Sequence, residues 1–280
     1  MQISVHNEYD SLRDVILARV DNYQLTEPIN LTQEHFYSTN PPLLRILQEE
    51  QRHFEEVLLS VGATIHWADL VDDCPYQVNT RDIGVAIEDT LVLCKLKRGI
   101  RQKELDGITR ILADVNGKIV KLEDSDATLE GGDIVLDGNG IIYVGISERT
   151  NRFGYEFVRD IFGHRWSVVP LKLKSGILHL DTVFNVLPGG LMLICPDAIE
   201  DIQTLLEAKR RLVRVNKVEQ FDLATNVLAV NPHTVIADVR NKKTNAELRN
   251  YSFDVLEIDF SHTSRIGGSF RCATLPICRS

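Results

Sequence analysis

Cysteine is scarce in this chain and never clustered. Cys74, Cys94, Cys195, Cys272 and Cys278 make five in 280 residues. The odd number, the wide spacings and the lack of any Cys-x-x-Cys argue against a disulfide framework or a structural zinc site and predict a reducing, cytoplasmic setting. The opening residues, Met1 to Glu8, carry no basic region followed by an apolar run, so no secretory leader is expected. No apolar stretch approaches the roughly 18 residues needed to cross a bilayer. Positive charge is also in deficit, with 31 Lys+Arg against 40 Asp+Glu and a net charge of −9. An acidic surface repels phosphate, so neither nucleic acid nor a membrane is expected as a partner, whereas a cationic small molecule is compatible. No linker rich in Pro, Gly or Ser interrupts the chain, and residues 1–280 read as one domain. The remaining composition, 44% hydrophobic and 25% charged, is that of an ordinary globular protein. A chain of this length buries enough core to need no covalent staple.

What is present is a repeated pattern. Apolar stretches that read as hairpins, Ile83 to Leu93, Ile134 to Val144, Val183 to Cys195 and Val227 to Ala237, alternate with amphipathic helices. The helices are expected over Pro41 to Val61 (Leu43, Leu47, Phe54 and Leu58 inward), Gln102 to Val115, Thr150 to Phe162 (Phe153, Phe157 and Ile161 inward), Ala198 to Ala208 and Asn245 to Tyr251. Each leads into a short strand. The unit is strand, strand, helix, strand. Asp82, Asp133, Asp181, Asn226 and Gly268 mark one phase of it at intervals of 51, 48, 45 and 42 residues. A period near 40–50 points to a repeat architecture or propeller-like closure within the α/β class. Asp21 to Asn40 is the longest aperiodic stretch, and long ordered loops of this kind are often lids.

Five places at that phase concentrate reactive side chains. They are Asn79-Thr80-Arg81-Asp82-Ile83-Gly84, Leu129-Glu130-Gly131-Gly132-Asp133, His179-Leu180-Asp181, Asn226, and Gly267-Gly268-Ser269-Phe270-Arg271-Cys272. Each taken singly has a bland counterpart: a turn carboxylate is a cap, a histidine among apolar residues is core, a lone cysteine is a small hydrophobe. Their recurrence at one phase brings them together. A thiol beside an imidazole is an activated nucleophile. Three carboxylates in one pocket repel unless a cation lies among them. A planar cation with several N–H donors pairs with carboxylates in bidentate fashion, which describes attack on a guanidinium. Zinc on Cys, His and Asp is the rival reading, but the close ligand pairs of zinc sites are missing. No metal and no cofactor is expected.

With these motifs the chain resembles the guanidino-group-modifying enzyme superfamily, which includes arginine deiminases, dimethylarginine dimethylaminohydrolases and amidinotransferases. The resemblance runs from Asn7-Glu8-Tyr9-Asp10-Ser11-Leu12 to Cys272-Ala273-Thr274-Leu275-Pro276 and so covers nearly the whole chain. It implies a five-bladed α/β propeller of pseudo-fivefold ββαβ repeats. It implies Cys272 as nucleophile, His179 as proton shuttle, and Glu130, Asp82 and Asp181 as guanidinium holders, with Glu130 nearest His179. Arg149, with Arg101 as a second candidate, matches an arginine that binds the substrate's α-carboxylate. The implied substrate is a cationic guanidino compound, and a homodimer is left open.

Arg271 stands before the nucleophile where amidinotransferases carry His, which favours water as acceptor. Asp181 supplies a carboxylate that mammalian-type dimethylarginine hydrolases lack, which suits an unsubstituted guanidinium. Asn79 and Tyr76 replace an aromatic and an Asn or acidic residue of the family pattern, and they bear on the substrate. The expected activity is hydrolysis of arginine or an Nω-substituted arginine. An amidinotransferase and a non-catalytic guanidine-binding protein are the alternatives.

Overall fold

Alternating apolar runs separated by tight turns bury best as hairpins, and all four expected hairpins form. The computed structural model describes residues 1–200, 202, 203, 205 and 211–280. β1 (Leu12–Leu17) pairs in parallel with β2 (Thr64–Trp67). β3 (Gly84–Ile87) and β4 (Thr90–Leu93) form a hairpin that β5 (Lys118–Lys121) extends in parallel. The pattern recurs in β6 (Ile134–Leu136), β7 (Ile141–Ile146) and β8 (Ser167–Lys172), and in β9 (Phe184–Leu187), β10 (Leu191–Ile194) and β11 (Leu212–Arg214). It recurs again in β12 (Leu228–Asn231), β13 (Thr234–Asp238) and β14 (Asp254–Ile258). Finally β15 (Leu275–Arg279) returns to pair antiparallel with β1. The described residues therefore form five three-stranded sheets.

A parallel third strand needs a crossover, and helices supply it. α1 (Leu31–Tyr37) and α2 (Leu44–Ser60) lie between β1 and β2, the short α3 (Thr109–Ala113) precedes β5, and α4 (Arg152–Phe162) precedes β8. Helix Lys242–Asn250 precedes β14. Of the helix expected over Ala198 to Ala208, five of eleven residues lie outside the described ones. No described helix is long and apolar enough to cross a membrane.

The cores are shared between sheets. One apolar cluster joins Ile16 and Leu275 of the first sheet to Val85 and Leu91 of the second and Ile134 and Val144 of the third. Others join Val135 to Phe184 and Ile194, and Leu187 and Leu193 to Ala229 and Val235. The last joins Leu228 and Ile236 back to Leu12 and Val15, with α2 packed over them. Each sheet thus completes its neighbour, and the fifth meets the first.

The structure corrects the helix faces. Leu43 lies outside α2 and is exposed, and the buried face is Leu47, Glu50, Gln51, Phe54 and Leu58. Phe153 is exposed as well, and Gly154, Val158 and Phe162 face the core of α4. Leu47, Phe54 and Leu58 are buried as expected and Phe157 and Ile161 pack partly buried against the core, so each stripe fails at its first residue, Leu43 and Phe153. Gln102 to Val115 is split between a 3-10 helix, Glu104–Ile108, and α3, five residues each. The expected loop 21–40 contains α1, capped by the Asn30 side chain on Gln33 N. The strands β3, β6, β9, β12 and β15 begin at 84, 134, 184, 228 and 275. The intervals do not shrink steadily, because Gly268 lies seven residues before its strand whereas Asp82 and Asn226 lie two before theirs.

Candidate active site

Short turns immediately before β3, β6, β9, β12 and β15 carry the reactive side chains, and all five turns meet. Thr80–Ile83 presents Asp82, Gly131–Asp133 follows Glu130, and Leu180–Thr182 follows His179 and contains Asp181. Asn226 and Cys272 come from the remaining two turns and touch. The close approach depends on the glycine pair. A Cβ on Gly131 would fall on Arg81 O and 2.6 Å from Gly84 O, and one on Gly132 would lie 2.9 Å from Asp82 Oδ1 and 3.0 Å from the His179 ring.

His179 sits between two carboxylates. Its Nε2 is 2.7 Å from Glu130 Oε2 and its Nδ1 is 3.7 Å from Asp82 Oδ1. Burial favours neutral imidazole, but Asp82, Glu130 and Asp133 outweigh it and push the pKa up to about 9. Glu130 answers in the opposite sense. Against burial, the His179 hydrogen bond and charge, with Arg101 and Arg149, lower it to about 2.

Cys272 is buried, and its surroundings favour the neutral thiol. Burial pushes its pKa well up, and the charges of Asp181 and Asp82 add to this. Sγ lies 3.6 and 3.8 Å from the two carboxylate oxygens of Asp181. The Asn226 amide donates to Sγ from 3.2 Å and accepts the Cys272 N–H at 3.1 Å. Among the described residues His179 is not a hydrogen-bond partner of Sγ, so the thiol and imidazole do not form a direct pair. Asp181 is itself tied down, accepting from Arg271 Nη1 at 2.7 Å, and Arg271 Nη2 in turn bonds Glu8 Oε1 at 2.9 Å.

Arg101 lies differently from the expectation. Its Nη1 donates to Asp82 Oδ2 at 2.7 Å, and Nε and Nη2 hold both oxygens of Glu104 at 2.8 Å. A guanidinium of the protein therefore rests on one of the three expected guanidinium holders. Arg149 Nη1 approaches Glu130 Oε2 at 3.5 Å, while Nη2 donates to Ile29 O at 2.8 Å and Nε has no partner. Asn79 packs beside Gly268 and Cys272, where a Cβ on Gly268 would fall on Asn79 Oδ1 and 2.9 Å from Cys272 Cβ, and that buried Oδ1 has no hydrogen-bond partner. Tyr76 Oη bonds Thr26 Oγ1.

A narrow cavity of about 10 Å³, room for one water at most, is lined by Asn79, Asp82, Arg101, Arg149 and Cys272, and roofed by Ile29, Asn30 and Gln33. The roof belongs to the Asp21–Asn40 segment. Gln33 Nε2 and Asn30 Nδ2 fasten it to Ile266 O at 2.8 and 3.2 Å.

All eight expected site residues thus lie in one buried cluster. Glu104 is the residue not anticipated, pushed up to about 7 by burial, whereas Asp133, also pushed up to about 7, and Asn226 stand among the five reactive places without an expected role. Glu104 was readable only as Arg101 plus three. Ligand atoms of Asp82, Glu130 and His179 lie within 4.8 Å of one another, the spacing a metal ion needs. Arg101 Nη1, 2.7 Å from Asp82 and 3.9 Å from Glu130, already supplies positive charge there. The donor set therefore fits an organic cation better than a second, divalent one.

The sequence matches, over residues 19–279, the family described as N,N dimethylarginine dimethylhydrolase, eukaryotic. It is 34% identical to the uncharacterized protein YkgA of Bacillus subtilis over 273 residues, covering 97% of this chain and 94% of that one. It is 28% identical to the arginine deiminase of Rhodococcus erythropolis, covering 81% and 67%. The product-bound N-terminal domain of ArgZ, a cyanobacterial arginine dihydrolase, superposes with a TM-score of 0.86 at 21% identity over 96% of this chain and 98% of that one. The mixed α/β fold is shared with that domain.

Proposed function

The chain belongs to the N,N-dimethylarginine dimethylhydrolase family of guanidino-group-modifying enzymes, and from that premise we propose that it hydrolyses a C–N bond of arginine or an Nω-substituted arginine through Cys272. It is an amidine C–N hydrolase of this superfamily, and we read the five sheets as the blades of an α/β propeller in which residues 1–280 form one catalytic unit. The observation that carries the reading is the guanidinium of Arg101 resting 2.7 Å from Asp82 beside the Cys272 cavity. The pocket is already complementary to the group it is proposed to take.

The steps follow from the residues. A substrate guanidinium replaces Arg101 on Asp82 and lies over Sγ. The cation offsets the carboxylates that disfavour the thiolate, so arrival of substrate activates Cys272. The thiol proton leaves toward Asp181, the carboxylate nearest to Sγ. Sulfur attacks the central carbon, and the His179 imidazolium protonates the departing nitrogen, which leaves as ammonia or an alkylamine. Neutral His179 then takes a proton from water as its oxygen attacks the amidino-thioether. The C–S bond breaks, giving citrulline or its analogue and returning the thiol. Arg149 at the cavity rim is suited to a substrate carboxylate, and release of its bond to Ile29 O would couple that contact to the roof. A cytoplasmic setting suits a chemistry that needs a reduced thiol.

The test is product identification by mass from arginine, methylarginines and other guanidines, with and without an added amine. Ureido product that disappears in Cys272→Ala supports the proposal. A wild type inert on every guanidine, or full activity in Cys272→Ala, overturns it. Ornithine with an amidinated amine would identify an amidinotransferase instead.

A further inference from the structure

Asn226 is buried and has no charge, yet every polar group of its side chain is directed at the reacting thiol or the turn beside it. Oδ1 accepts the Cys272 N–H at 3.1 Å, and Nδ2 lies 3.2 Å from both Cys272 Sγ and Asp181 O. Its backbone carbonyl accepts from Arg271 N at 3.3 Å. One residue thereby grips the nucleophile at its amide and at its sulfur. We propose that Asn226 is the donor that holds Cys272 Sγ as a thiolate and fixes its line of attack.

The argument rests on what surrounds the sulfur. The charged groups that face it are Asp181 and Asp82, which oppose a thiolate, and Arg271, which favours one. Arg271 is committed to Asp181, Glu8 and Ile134 O, and no bond from it to Sγ is formed. In the thiol state S–H can point to Asp181. Once the proton has passed to Asp181 the sulfur has lost its own S–H, and the Asn226 amide is the side-chain N–H left on Sγ among the described residues, beside the backbone N–H of Ser269. A hydrogen bond to an anion is about twice as strong as one between neutral groups, so the contact gains strength as the thiolate forms.

The two halves of the amide make the role separable. Asn226→Asp keeps an oxygen for the Cys272 N–H, removes the donor to sulfur and adds a negative charge, so it is read against a variant that adds none. Asn226→Ala removes both. The reading builds on Cys272 as the nucleophile of the proposed hydrolase, so the decisive measurement is independent of turnover: the pH dependence of Cys272 alkylation by iodoacetamide, with peptide mass mapping to isolate that thiol. Expected is an upward shift of the alkylation profile in Asn226→Asp, with the rate at pH 8 reduced about tenfold or more, a smaller reduction in Asn226→Ala, and melting temperatures that show both variants folded. In turnover kcat should fall by more than KM changes. An Asn226→Ala profile that superposes on the wild type overturns the inference, because that variant removes the donor without adding charge. If wild type fails to hydrolyse any guanidine but the profile shifts, the proposed reaction fails and the role of Asn226 in holding the thiolate stands. Should neither variant fold, Asn226→Leu supplies the same comparison, keeping the side-chain volume while removing the donor without adding charge.

Discussion

His179 and Glu130 are a buried pair whose two pKa values move apart, about 9 and about 2, because each stabilises the other's charge. The pair therefore stays ionised across neutral pH, with the imidazolium ready as an acid. The sign of the stability linkage differs for the two partners. His179, raised above its ordinary 6.5, contributes fully below that value, and the contribution is lost as pH rises through about 9. Glu130, lowered from 4.5, contributes above that value and loses its share as pH falls through about 2. Glu130→Gln keeps the shape and removes the charge, so the imidazole should titrate below 9, with kcat reduced about 100-fold or more. NMR titration of the His179 ring checks the first, and an unmoved ring pKa would show that Asp82 and Asp133 suffice. Residue identity at this scale was readable because reactive side chains recur at one phase. Burial was not. Glu104 and Asp133 titrate near 7 only because distant segments close over them, and the seating of Arg101 on Asp82 depends on how the chain between β4 and β5 packs.

The elements that set the site are turns rather than strands, and their glycines have space requirements that can be tested. Gly131→Ala would place a methyl on Arg81 O, a backbone atom that cannot swing aside. The turns of Asp82 and Glu130 must then separate. The variant should lose about 1–3 kcal/mol of stability and most of its activity, whereas Gly99→Ala, with nothing within 4 Å, should melt near the wild type. Thermal melts of both variants decide it, and equal melting temperatures would remove the steric argument. Strand hairpins were legible from the apolar runs of 10 or so residues between turns, since β4, β9 and β10 are buried throughout. Helix faces were less so. In α4 aromatic residues at 153 and 157 suggested the inward stripe, but Phe153 is half exposed and small Gly154 packs inward, where a Cβ would strike Thr128 O. Periodicity of large apolar residues misleads where close packing selects the small one.

At the scale of the molecule the closure is a joint between the two ends of the chain. Neither β1 nor β15 has a hairpin partner nearby in sequence to mark it as a strand; each finds the other across some 260 residues. Leu275 and Ile277 of β15 are fully buried, Arg279 Nη1 bonds Asp10 O and Ala229 O, and Ser280 and Ser11 exchange backbone bonds. Far from fraying, the terminus links the first sheet to the fifth. Deleting residues 275–280 spares every side chain of the candidate site yet exposes two aliphatic core positions, each worth about 1.5–3 kcal/mol, together with a strand's ladder. Against a total stability of about 5–15 kcal/mol that loss is large. Because the apolar clusters are shared from sheet to sheet, the damage should spread rather than stay local. The truncated chain should show no cooperative melt by circular dichroism and no Cys272-dependent hydrolysis. A truncated chain that melts within a few degrees of the full one would mean that β1 and β2 hold the first sheet alone, and that closure of the five sheets contributes little to keeping Cys272 in place.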